Sequence, residues 1–334
     1  MPGVRDGAEL HAQSFVSELR QRGHDVETVA LPFRPAKSGL LSQAAAWRLL
    51  DLSTSIGRPI DLLIATRFPT YFARHPRKVA WLIHQHRPAY DLHGTPYSDF
   101  TAAAAEDAAL RQRLIDLDTR MLRECTRLFT NARNTAARLK RFNGLAGTPL
   151  YHPPPLADTL REGTYSDYVL LVSRLEPVKR VDLAIRAMAA VPAPTRLVVV
   201  GDGSERAALE RVAAETGVEA RVEFRGAVWG DEVAELYRHS LAVLYAPFDE
   251  DYGYATLEGF LSAKPVITAS DSGGTLELVV DGENGLVCAP DADAIARAMT
   301  TLAADPQLAS RLGHAGLACA RAVTWDGVVE QLLG

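Results

Sequence analysis

Short apolar runs alternate with amphipathic helical patterns twice along this chain, and that alternation restricts it to parallel sheets covered by helices on both faces. In the first half, strands are expected at residues 24–31, 60–65, 79–83, 128–131 and 149–151, separated by helical patterns at 8–22, 41–56, 103–124 and 135–142. In the second half, strands are expected at 168–172, 196–200, 222–224, 241–245, 265–268 and 285–288, with consecutive helices from Ala292 onward. At 334 residues the chain exceeds one ordinary core, so two domains are expected. The Pro-rich stretch His152-Pro-Pro-Pro-Leu156 and the polar segment running to Asp167 make the best linker. The fold class is therefore α/β, with two Rossmann-like domains facing across a cleft: residues 1–153, residues 154–320, and a final helical segment at 321–334.

The first domain opens irregularly. A doubly wound domain begins with a strand that feeds a Gly-rich turn and a helix. Only Met1-Pro-Gly-Val-Arg-Asp6 precedes Gly7, and a segment with a proline, a glycine and two charges is no central parallel strand. The first strand is expected to be missing, either because translation starts further upstream or because the domain folds without it.

Composition removes several function classes. A net charge of −5 argues against a nucleic-acid binder. Cys125, Cys288 and Cys319 are odd in number and lack metal-ligand spacing, so they are expected as reduced thiols in a cytoplasmic protein. No apolar run reaches the roughly 18 residues of a membrane span and no signal peptide stands at the start, which leaves peripheral membrane contact open.

The chemistry-bearing residues gather at strand ends. Glu250 and Glu258 lie in Ala246-Pro-Phe-Asp-Glu-Asp-Tyr-Gly-Tyr-Ala-Thr-Leu-Glu258, between an expected strand and an expected helix. There Tyr252, Gly253 and Tyr254 form the turn. Gly253 admits a ligand close to the backbone, and a helix beginning near Tyr254 offers free N–H groups to an anion. Arg174 ends one strand and Lys179 begins the next helix, a pair of cations that suits a diphosphate. Gly201-Asp-Gly203 makes a tight strand-to-helix turn. Gly273 and Gly274 precede a helical segment bearing Glu277, where backbone N–H groups could cradle a phosphate or sugar hydroxyl, or simply start the helix.

The carboxylate pair, Arg174-Leu-Glu-Pro-Val-Lys179, Gly201-Asp-Gly203, Gly273-Gly-Thr-Leu-Glu277 and Asp281-Gly-Glu-Asn-Gly-Leu286 together resemble retaining glycosyltransferase family 4, the group 1 transferases of GT-B fold. The resemblance covers nearly the whole chain and is strongest across the second domain. It implies a second domain that binds a nucleotide diphosphate sugar and a first domain that binds a hydroxyl acceptor. On this resemblance Arg174 and Lys179 hold the donor diphosphate, Glu250 contacts the transferred sugar, and Glu258 accepts hydrogen bonds from the ribose. Gly7 and Ala8 correspond to the Gly-rich loop that closes over the phosphates. Asp6-Gly7 stands where the family usually has two glycines, and a carboxylate beside a diphosphate is unfavourable unless it points away. His84, at the end of Val79-Ala-Trp-Leu-Ile83, corresponds to a histidine lining the cleft near the sugar, with His86 as the competing candidate.

The implied reaction is glycosyl transfer with retained configuration by a front-face mechanism, with no cofactor and no bound metal. Asp249-Glu-Asp251 has the look of a metal triplet, but its place inside the carboxylate motif accounts for it. Two other readings stand beside this one: a degenerate, non-catalytic nucleotide-sugar-binding subunit that partners an active transferase, and an epimerase on the same fold. The acceptor would meet loops such as Arg67-Phe-Pro-Thr-Tyr71 and Arg87-Pro-Ala-Tyr-Asp-Leu-His-Gly94. At the end of the chain, Trp325, Val328, Val329 and Leu332 form one apolar stripe, with Thr324 as N-cap and Asp326 in the first turn. This segment resembles the helix that crosses back to the first domain in GT-B transferases.

Overall fold

A computed structural model of the protein describes residues 7–101 and 103–334, which divide into two units. One runs to His152 and regains the chain at Trp325–Gly334; the other is Pro153–Thr324.

In the first unit, α1 (Gly7–Gln21) and α2 (Leu40–Leu49) precede a small antiparallel pair, β1 (Thr54–Ser55) and β2 (Arg58–Pro59). Then follow β3 (Leu63–Arg67), β4 (Lys78–His84), α3 (Ala105–Arg123), β5 (Arg127–Thr130), α4 (Arg133–Asn143) and β6 (Thr148–Pro149). The last four strands form one parallel sheet in the order β3-β4-β5-β6. Central β4 is buried from Lys78 to Ile83, as expected of a strand covered on both faces, and emerges only at His84, its carboxyl end.

Two expectations fail in this unit. Residues 24–31 form no strand: no strand among the described residues runs beside them, and Val29 stays 43 % exposed. Val26, Thr28 and Val29 suit a pleated surface, but a ladder exists only where a second backbone offers its donors and acceptors. The helix expected over 41–56 ends at Leu49, because Asp51 takes the Ser53 N–H (3.1 Å) and Ile60 N–H bonds Ser53 O (2.9 Å), turning the chain into the β1/β2 hairpin. The expected gap before Gly7 falls on residues 1–6, outside the described residues.

In the second unit, β7 (Tyr168–Val172), α5 (Val181–Ala187), β8 (Arg196–Val200), α6 (Arg206–Glu215), β9 (Val222–Gly226), α7 (Asp231–His239), β10 (Ala242–Leu244), α8 (Tyr254–Leu261) and β11 (Val266–Ala269) alternate, and β12 (Gly285–Cys288) follows β11 after a 3-10 turn. The six strands are parallel in the order β12-β11-β10-β7-β8-β9. From β7 the chain builds outward through β8 and β9, then returns to the other side of β7 to lay down β10. That reversal falls between β7 and β10, and the carboxyl ends of strands at such a point are where open α/β sheets take their ligands. The core is aliphatic: Val169, Leu171, Leu197, Val199 and Ile267 of the sheet pack against Ile185, Met299 and Leu312 of the helices. Helices α9 (Ala292–Ala304) and α10 (Pro306–Arg321) finish the unit. Asp291 caps α9 through Ala294 N–H (2.7 Å) and Asp305 caps α10 through Gln307 and Leu308 N–H groups (3.1 and 2.9 Å).

The last helix, α11 (Trp325–Leu333), packs with the first unit. Val328, Val329 and Leu332 are buried among Phe15, Leu19, Val79, Trp81, Phe129 and Leu150. Arg127 closes its end by donating to Gln331 O (3.0 Å) and Leu332 O (2.7 Å). No helix among the described residues is long and apolar enough to cross a membrane.

Candidate functional site

Side chains from the segments after both neighbouring strands meet at the reversal. Lys179 arrives from the β7 side, on a short 3-10 turn (Pro177–Lys179), and Glu250 from the loop after β10. The Lys179 ammonium donates to Glu250 Oε2 at 2.5 Å and to the Tyr245 hydroxyl at 3.1 Å. Both members of this ion pair are largely withdrawn from water, at 9 % and 14 % exposure of their side chains. Burial and then the Glu250 charge raise the Tyr245 phenol well above its ordinary pKa, so it stays a neutral hydroxyl; the positive charge of Arg174 acts on it in the opposite sense. Arg174 itself is exposed and has no hydrogen bond or ion pair from its side chain among the described residues. The site thus holds one satisfied cation and one exposed cation around a buried phenol.

Glu258 occupies a different environment. It lies one turn into α8, buried, and its Oε2 accepts from the Tyr237 hydroxyl at 2.7 Å. Burial pushes its pKa up to about 7, which the Tyr237 hydrogen bond only partly opposes. Gly253, with φ of +85°, caps α8 and sits between Tyr252 and Tyr254, whose rings meet edge to face with centroids 5.9 Å apart.

The glycines at this edge serve backbone packing. A Cβ on Gly201 would stand 1.8 Å from Ser173 O, so the turn after β8 can lie against the turn after β7 only with glycine there. A Cβ on Gly274 would stand 2.3 Å from Asp251 O, and the Gly274 N–H already donates to Glu250 O at 2.7 Å. Gly273 begins a short 3-10 turn (Gly273–Glu277) in place of a full helix. Asp249 N–H bonds Asp271 O (2.9 Å) and Glu250 N–H bonds Ser272 O (3.3 Å), which lace the carboxylate loop to the loop after β11.

In the first unit, Gly7 and Ala8 open α1, while Asp6 lies outside the described residues. His84 ends β4 half-buried, opposite Arg67 in register, with Nδ1 2.8 Å from Gln85 O. His86 is a core ring. It lies between Phe68 and Phe100, with centroids 5.8 and 6.0 Å away, its Nε2 has no hydrogen-bond partner, and burial lowers its pKa to about 4.

Three residues of the second unit escaped the sequence reading. Tyr245 and Tyr237 look like ordinary apolar positions in their strand and helix patterns, and only the fold aims their hydroxyls at Glu250, Lys179 and Glu258. Arg180 stands beside Lys179, and the dipeptide of two cations is its one signal in the sequence.

Residues 159–318 match the family described as glycosyl transferases group 1. Over its full length the chain is 27 % identical to a D-inositol 3-phosphate glycosyltransferase of Acidothermus cellulolyticus, of which it covers 86 %. It is also 27 % identical to a GDP-mannose-dependent alpha-(1-6)-phosphatidylinositol monomannoside mannosyltransferase of Mycolicibacterium smegmatis, covering 94 % of this chain and 90 % of that one. Among solved structures, sucrose-phosphate synthase from Thermosynechococcus elongatus superposes with a TM-score of 0.74 at 20 % identity, covering 98 % and 92 % of the two chains. Anabaena HepE, solved with UDP and glucose, superposes with a TM-score of 0.70 at 19 % identity, covering 96 % and 88 %.

Proposed function

We propose that this chain, which belongs through its residues 159–318 to the group 1 glycosyltransferases and shares their GT-B fold, moves a glycosyl group from a nucleotide diphosphate sugar to a hydroxyl acceptor, retaining the anomeric configuration and using no bound metal. One observation carries the reading: Arg174, Lys179 and Glu250 stand together at the sheet's reversal point, where β7 and β10 part.

The leaving diphosphate gains negative charge as the anomeric bond breaks, and cations fixed near it lower the barrier. Arg174, exposed, meets the diphosphate first. Lys179 is already held in place by Glu250 and Tyr245, so a diphosphate competes for an ammonium that needs no further ordering. Once the phosphate takes the lysine, the Glu250 carboxylate is released to accept from hydroxyls of the transferred sugar. Glu258 receives the ribose hydroxyls in its ionised form, and Gly7 and Ala8 close over the phosphates. His84 serves the sugar from the first unit, which takes the acceptor; the core position of His86 favours His84 for that role. In the front-face step the bond from the anomeric carbon to the phosphate oxygen breaks, the bond to the acceptor oxygen forms on the same face, and the acceptor proton passes to the departing phosphate.

The test is a donor panel of UDP-, GDP- and ADP-sugars, with sugar release to water followed by NMR in the presence and absence of EDTA. Release of the sugar in the donor's own anomeric configuration, undiminished by EDTA, is expected for at least one donor. Inverted product would overturn retention and EDTA sensitivity would overturn metal independence. Tight nucleotide binding with no release from any donor would identify a non-catalytic binding subunit instead.

A further inference from the structure

Four non-glycine residues among those described have positive φ, and two of them, Arg180 at +51° and Asp249 at +42°, flank the candidate donor site. A long side chain in the left-handed region is disfavoured and persists only where its surroundings overdetermine it. Around Arg180 they do. Its guanidinium, 9 % exposed, grips Asp271 with both prongs (2.7 and 2.8 Å) and donates to Ala246 O (3.0 Å) and Pro247 O (2.9 Å). Those two carbonyls begin the loop that carries Glu250, and Asp271 begins the loop that bonds the backbone of Asp249. The neighbouring backbone adds a further tie, since Phe248 N–H donates to Val178 O at 2.9 Å. One side chain therefore joins the three strand-end loops after β7, β10 and β11, immediately beside the lysine that pairs with Glu250.

We propose that Arg180 is a positioning residue: its clamp on Asp271, Ala246 and Pro247 fixes the carboxylate loop so that Glu250 stands preset against Lys179 and at the height of the transferred sugar. The inference rests on the proposed function in assigning Glu250 to the sugar. A lysine cannot replace the arginine, because a single ammonium cannot engage both carboxylate oxygens and two diverging carbonyls in one plane. Glycine is the informative substitution, since it accepts the left-handed backbone and removes the clamping side chain without adding backbone strain.

The experiment compares the full chain with Arg180→Gly, Arg180→Lys and Asp271→Asn. Crystal structures of the ligand-free proteins should show the Glu250 carboxylate displaced from Lys179 by more than about 1.5 Å in R180G, well beyond hydrogen-bond reach. A pair that stays in place in R180G overturns the proposal. In hydrolysis of UDP-glucose and GDP-mannose, R180G, R180K and D271N should each lose at least tenfold in kcat, while calorimetric affinity for UDP or GDP changes less than threefold. R180G combined with D271N should be no worse than R180G alone, because both break one clamp. Parent-like kcat in R180G and D271N, or full rescue by R180K, overturns the proposal as well. Should Glu250→Gln be equally harmless, it is the donor-site reading that falls; should E250Q lose turnover while R180G keeps both geometry and rate, only the clamp is wrong.

Discussion

The two units hold their candidate residues in contrasting ways. In the second, Glu250 is bound through its backbone to Ser272 and Gly274 and through its side chain to Lys179, and it sits on a loop that Arg180 ties to its neighbours. In the first, Gly7 and Ala8 start a helix and His84 ends a strand, where its carbonyl accepts the Phe68 N–H (3.3 Å) and the ion pair of Arg138 with Asp91 (3.0 Å) ties the following loop to α4 and leaves the His84 side chain out of that tie. A site for a charged leaving group benefits from groups fixed before the ligand arrives, since ordering them during the reaction costs entropy. A surface that receives acceptors of varied shape has less to gain from such fixing. On the proposed function, the donor chemistry falls to the second unit and acceptor recognition to the first.

The largest expected effect tests whether the first unit depends on the end of the chain. Deleting residues 325–334 removes Val328, Val329 and Leu332 from their cluster, at roughly 1.5–3 kcal/mol each and so about 5–9 kcal/mol in total. That is comparable to the whole stability of a small domain. Calorimetry should show the first unit's melting lost or moved far down while UDP or GDP binding survives. A truncated protein with parental melting would make the helix a passive tail and dissolve the contrast in packing.

Next in size is the donor site. Lys179→Ala and Arg174→Ala each remove a contact to developing charge worth about 3 kcal/mol in a closed site, so turnover should fall at least a hundredfold. Rates within threefold of the parent would remove the second unit's claim to the chemistry.

The histidines sharpen the first unit. His84→Ala is expected to lower kcat about tenfold, near the low end of what such a polar contact contributes. His86→Leu should leave kcat within about threefold, because the ring it replaces is a neutral core group among Phe68 and Phe100. An opposite ranking would exchange their assignments.

The last comparison sets one buried carboxyl of each unit against the other. Burial raises both Asp118, which accepts from Tyr90 Oη at 2.6 Å, and Glu258 to about 7, from ordinary values of 3.8 and 4.5. Between those ordinary values and 7 the folded protein binds more protons than the unfolded chain. Stability therefore declines as pH rises through this window, by up to roughly 1.4 kcal/mol per pH unit for each group. Urea unfolding across pH 4.5 to 7 should show a flatter decline in D118N and in E258Q. Only E258Q should also abolish the rise in UDP or GDP affinity expected as the carboxyl ionises near pH 7. Equal behaviour of the two variants in binding would strip Glu258 of its ribose role.

Which features could be read from the sequence follows a physical division. The parallel sheet of the second unit was legible because each buried strand is an apolar run of its own, and β12 falls at Gly285–Cys288, where the pattern put it. The candidate residues were legible as types at strand ends: a carboxylate, two cations, a turn of glycines. Residues 24–31 misled because β-branched residue types describe a fit to a sheet and say nothing of whether a neighbouring strand is there. Gly201 reads in the sequence as a tight turn and Gly274 as a cradle or a helix entry, while their backbones lie against Ser173 and Asp251. A missing side chain marks a close approach without naming what approaches.

Local patterning thus determined the α/β class, the strand ends that carry charge and the apolar stripe of the last helix, because hydrophobic period and residue chemistry act over a few neighbouring positions. Tertiary structure alone decided that Lys179 meets Glu250 across 71 positions of sequence, that Arg180 spans 91 to reach Asp271, and that α11 packs with the first unit. Such pairings depend on the order in which strands are laid into a sheet. The reversal between β7 and β10 that creates them is a property of the whole chain's path and leaves no mark on any single segment.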